Sequence, residues 1–69
     1  MTRIPVISSN ISSIGYDEDT STLEIEFHSG AIYQYFDVPP NVYQGIIEAS
    51  SIGQYFAQYI KGYYRYVKI

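Results

Sequence analysis

The chain has 69 residues, nine tyrosines, one histidine, no cysteine and a formal net charge of −3, with seven acidic side chains against four basic ones. One domain is the limit at this length, burying only about 60% of its unfolded surface; disulfides, thiolate zinc sites and histidine clusters are excluded, which leaves oligomerisation as the usual extra source of stability. The acidic balance disfavours a protein that coats nucleic acid electrostatically, and neither a membrane span of about 18 apolar residues nor a signal peptide is present, so a cytoplasmic protein without a membrane partner is expected.

In chain order, SSNISS (8–13) is polar and leads into Ile14-Gly15-Tyr16, where alternation begins. DEDTS (17–21) has turn composition. TLEIEFH (22–28) alternates strictly, as a half-buried strand does. Ser29-Gly30 then suits a two-residue hairpin turn, glycine tolerating positive φ, and AIYQYF (31–36) returns as the next strand. A two-residue loop sets Phe27 opposite Ile32, Glu26 opposite Tyr33 and Glu24 opposite Tyr35. Leu23, Ile25, Phe27, Ile32 and Phe36 then face the core with Ile14 and Tyr16. Glu24, Glu26, His28, Tyr33 and Tyr35 share the other face. This register places Gln34 on the buried side, and a slip of one residue would reverse every assignment.

Asp37-Val38-Pro39-Pro40 ends the strand and opens a helix, since proline suits a first helical turn. Val42, Ile46, Ile47 and Ala49 form its apolar stripe. Ser50-Ser51 interrupts that stripe and offers a cap for a second helix, in which Ile52, Tyr55, Phe56, Tyr59 and Ile60 recur at helical spacing. Lys61 suits a helix C-terminus, and Gly62 a position just beyond it. Tyr63 to Ile69 alternates again as a last strand. The expected fold is α+β, order β-β-β-α-α-β, with two short helices on one face of an antiparallel sheet.

The chemistry-bearing residues point away from catalysis. His28, Ser29 and Glu26 crowd one hairpin tip instead of converging from separate elements beside an oxyanion site. Glu24 and Glu26 read as the solvated face of a strand. No glycine-rich phosphate loop occurs. The aromatic residues carry the remaining signal: Tyr33-x-Tyr35 and Tyr64-x-Tyr66 each place two rings on one strand face, with Lys61, Arg65 and Lys68 nearby. Exposed rings on a sheet form the platform on which several single-strand RNA binders stack bases. Tyrosine enrichment marks subunit interfaces as well.

SSNISSIGYD (8–17), TLEIEFHSGAIYQYFDVP (22–39), Ser51-x-Gly53-x-Tyr55-Phe56 and Ile60-Lys61-Gly62-x-Tyr64-x-Tyr66 together resemble the KTSC domain over nearly the whole chain. That family is named for its place at the C-terminus of some lysyl-tRNA synthetases, and it also occurs as small free-standing bacterial or phage proteins. The resemblance implies RNA binding, by association with a synthetase. The leading expectation is a small non-enzymatic RNA- or nucleotide-binding module without a cofactor. Tyr33, Tyr35, Tyr64 and Tyr66 would stack bases, and Lys61, Arg65 and Lys68 would touch phosphates. The alternative is a homo-oligomer whose tyrosine-rich surface is its interface, and the two combine if a small nucleotide-like ligand sits between subunits.

Overall fold

A computed structural model describes residues 1–69. Its elements are β1 (Arg3–Pro5), β2 (Ile11–Asp17), β3 (Thr22–Phe27), β4 (Ile32–Tyr35), α1 (Pro40–Glu48), α2 (Ile52–Tyr59) and β5 (Tyr66–Lys68). The five strands form one sheet in sequence order, and every neighbouring pair is antiparallel. The α+β architecture is as expected, with one additional strand at the amino-terminal edge. Arg3 to Pro5 is too short to show alternation. It is fastened by pairing with β2 and by the Arg3 side chain, whose path across β2 is open because residue 15 is glycine. A Cβ there would lie 2.9 Å from both Arg3 Cγ and the Thr2 carbonyl oxygen.

The core lies between the sheet and the helices. Ile11, Ile14, Leu23, Ile25 and Tyr35 from the strands meet Val38, Ile46, Ile52, Phe56 and Ile60. Pro40 begins α1, and the Ser51 hydroxyl accepts a hydrogen bond from the Gln54 amide at the start of α2, so both helix starts follow the expected local chemistry. Tyr16 stacks on Tyr43 with centroids 5.0 Å apart and donates its hydroxyl to the Val38 carbonyl at 2.5 Å, tying β2 to α1 and to the segment that leads into it.

The β3–β4 register differs from the expected one. The Phe27 amide donates to the Ala31 carbonyl, and the loop contains His28, Ser29 and Gly30, with Gly30 at φ +94°. This is the three-residue hairpin, a turn followed by a left-handed residue. The extra loop residue shifts the ladder by one: Ile25 pairs with Tyr33, Glu24 with Gln34 and Leu23 with Tyr35. Tyr33 and Tyr35 therefore share the inner face with Leu23 and Ile25, while Ile32 and Phe36 turn outward. The physical reason is polar pairing. The shift removes Gln34 from the core and lets its Nε2 donate to Glu24 Oε1 at 2.8 Å.

The outer face is consequently a polar network. Arg3 forms an ion pair with Glu24 and lies 3.7 Å from Glu26, its Nε donates to the Ser13 hydroxyl, and that hydroxyl donates to Glu26. Glu24 is buried, 6% exposed, so the expected solvated strand face is instead a covered carboxylate. Burial raises its proton affinity. Hydrogen bonds from Gln34 and Arg3, then the charges of Arg3 and the amino terminus, outweigh that and leave Glu24 below its ordinary 4.5.

Candidate functional site

Turning Tyr33 and Tyr35 inward does not bury both in the core, because the helices cover the sheet unequally. Tyr35 is buried at 5% exposure, whereas Tyr33 is half-buried beside an open margin. β5 extends that margin: Tyr66 pairs with Tyr35 and Lys68 with Tyr33, so all four side chains share one face. Beyond the sheet, Phe56 reaches down from α2. The five rings of Phe27, Tyr33, Tyr35, Phe56 and Tyr66 form a connected cluster with centroids 5.5 to 6.3 Å apart. Edge-to-face contacts dominate at Phe56 and tilted ones at Tyr66, as ring quadrupoles favour.

These rings line a cleft of about 790 Å³, within the range typical of small-molecule sites. One wall is the hairpin loop at His28 and Ser29, another is Ser9 and Asn10 before β2, and a third is Lys61 and Gly62 after α2. Gly62 has φ +84°, which lets the chain reverse from the helix end toward β5. The hairpin wall is fastened to the Ser9–Asn10 wall: the His28 amide donates to the Asn10 carbonyl, and its Nε2 bonds the Ser8 carbonyl at 2.8 Å. Gly53 completes the bracing, since a Cβ there would lie 2.8 Å from Asn10 Oδ1. Burial, then the neighbouring Tyr33 and Tyr66 phenols, push Tyr35 up to about 12. At neutral pH Tyr35 therefore borders the cleft as an uncharged phenol.

Of the seven residues expected at a site, the cleft brings together Tyr33, Tyr35, Tyr66 and Lys61, with Lys68 at its margin on the same sheet face. Tyr64 does not join them. It lies in the turn before β5 and packs against the core. Arg65 belongs to the outer side, where it donates to Asp37 at 3.1 Å and sits 5.5 Å from the Phe36 ring centroid. The expected strand from Tyr63 is shorter, because the chain is still turning at Tyr63 and Tyr64. Phe27, Phe56, Asn10 and His28 were not anticipated as site residues. The first two carried a clear core signal, and a ring can serve core and cleft at once. The loop sequence His-Ser-Gly fits a three-residue hairpin and held the signal that would have placed His28 on the rim.

The architecture defines a class: a small α+β module with two helices set on one face of an antiparallel meander, leaving an aromatic cleft open beside them. Residues 7–64 match the model of the KTSC domain, and the chain belongs to that family. It is 47% identical to a protein of Stutzerimonas stutzeri over all of this chain and 99% of that one. The crystal structure of a KTSC domain protein from Yersinia pestis superposes with a TM-score of 0.97 at 46% identity, covering 99% of this chain and 96% of that one. A lysine–tRNA ligase of Nostoc punctiforme is 43% identical over 86% of this chain, which spans only 10% of the ligase.

Proposed function

We propose that this protein is a non-enzymatic binding module that takes an RNA nucleotide or a free nucleotide into the aromatic cleft. The observation that carries the reading is Tyr66: it is 61% exposed, held by β5 against Tyr33 and Tyr35, and accompanied by Lys61 across the cleft. An exposed ring on a rigid strand offers a stacking face to any base, and such a contact is worth about 1–3 kcal/mol. Similarity to a tenth of a lysine–tRNA ligase supports an RNA context. The test is a titration with mononucleotides and short single-stranded oligoribonucleotides, followed by amide chemical shifts. Movement confined to Tyr33, Tyr66, Lys61 and the His28 loop is expected; unmoved cleft amides at saturating ligand would remove the proposal.

A second reading rests on β5 itself. It is one of the two edges of the sheet, β1 being the other, and Tyr66 and Val67 within it and Ile69 just beyond it are exposed. An edge strand presents unpaired backbone groups to another chain, and the exposed apolar side chains here support self-association along that edge, with the short length of β5 and its Lys68 opposing it.

A further inference from the structure

The cations of the molecule are few, and their placement restricts what the cleft can hold. The chain has four lysines and arginines. Arg3 is committed on the outer face to Glu24 and Glu26, and Arg65 is engaged by Asp37 and Phe36 on that same side. Lys61 and Lys68 make no ion pair, and both belong to the aromatic side: Lys61 in the cleft wall, Lys68 directly opposite Tyr33. No carboxylate lines the cleft, and the chain as a whole carries a net charge of −3. An extended strand lying across this surface would bring several phosphates to a face with two cations to meet them. A single phosphate monoester attached to one nucleoside matches that supply.

We infer that the cleft is a site for one nucleoside 5′-monophosphate unit, its base on Tyr66 and Tyr33 and its phosphate at Lys61 and Lys68, rather than for the interior of a strand. This rests on the nucleotide reading of the cleft and narrows it. The shared chemistry has two sources, a free mononucleotide and the phosphorylated 5′ end of an RNA. The hydroxyls and amides around the cleft, those of Ser9, Asn10 and Ser29 among them, are neutral and suit a ribose and a base edge without adding to the charge requirement.

The experiment compares four probes on the intact protein: adenosine, adenosine 5′-monophosphate, and one short oligoribonucleotide with and without a 5′-phosphate. Charge-assisted hydrogen bonds to a phosphate lead to an expected preference of about 10-fold to 100-fold for each phosphorylated probe over its unphosphorylated partner. The Lys61→Ala variant, altered at an exposed position, should lose most of that preference while still binding adenosine. For the oligomer, the log–log salt slope should be shallower than about −1.4, the value for two neutralised phosphates on a single strand. Whichever phosphorylated probe binds more tightly names the source. Equal binding with and without phosphate, or a steeper slope for the 5′-hydroxyl strand, overturns the one-phosphate inference and leaves the aromatic site standing. No binding by any probe overturns both.

Discussion

Gln34 Nε2 and Glu24 Oε1 lie 2.8 Å apart on directly paired positions of β4 and β3, on the face away from the helices. This contact lets a buried carboxylate stay ionised while Arg3 closes over it. Because the folded state holds Glu24 below its ordinary 4.5, the unfolded chain takes up that proton more readily. The contribution to stability is therefore complete above that ordinary value and is lost as pH falls through the lower folded-state value. Thermal unfolding across acidic pH should show a decline that Glu24→Gln flattens. An equally steep decline in the variant would refute the assignment.

Arg3→Ala should cost about 1–3 kcal/mol, because it removes charged hydrogen-bond donors from a covered carboxylate. The loss should come with faster amide exchange in β1, since Arg3 fastens that strand across Gly15. Urea unfolding and hydrogen exchange together check it. Unchanged stability would mean that backbone pairing alone holds the edge.

At the alkaline end, Tyr35 sets the expected trend. Its phenol is raised to about 12 in the folded state against an ordinary 10.0. The unfolded chain ionises first, so stability should fall as pH rises through that interval. Tyr35→Phe should remove much of this dependence. Ultraviolet titration of the phenols should also lose its last-ionising component in that variant.

Gly30→Ala should destabilise by about 1 kcal/mol, after allowing for alanine's lower freedom in the unfolded chain. No atom lies within 4 Å of a Cβ at that position, so the cost is conformational and steric crowding plays no part. Gly30→Asn should lose less, because asparagine tolerates left-handed backbone better. Equal losses for the two variants in denaturant unfolding would contradict this.

If β5 pairs with a second copy, the melting temperature should depend on protein concentration. Val67→Lys, at an exposed edge position, should abolish that dependence while leaving the fold intact. A concentration-independent melt of the unaltered protein would dismiss pairing along this edge.

Much of the fold could be read from local chemistry. The alternation of Leu23, Ile25 and Phe27, the prolines at the start of α1, the Ser51 cap and the spacing of Ile52, Phe56 and Ile60 each specify an element through its own residues. The register could not be read the same way. Hydrophobic counting rated Ile32 and Phe36 above Tyr33 and Tyr35 as core residues, yet aromatic rings fill an inner face well and keep a polar end for the cleft. The decisive term was the Gln34–Glu24 pairing, a contact between residues ten apart that only the folded hairpin creates. The site was legible in residue type and only partly in position. Tyr66 and Lys61 are legible as site residues, whereas Tyr64 leaves the group where the chain turns before β5, and Arg65, next to Tyr66, takes the opposite face as alternation implies.

The three-residue hairpin separates loop length from side-chain facing. Phe27 and Ala31 close the loop around His28 to Gly30, and the face of every later side chain in β4 follows from that closing pair. Deleting one loop residue while Phe27 and Ala31 stay paired would leave a two-residue hairpin with Tyr33 and Tyr35 still in the cleft. Moving the closing pair by one position would send them out and bring Ile32 and Phe36 in. Length variation inside the loop should therefore be tolerated, whereas a single insertion within β3 or β4 would rebuild the cleft from other residues.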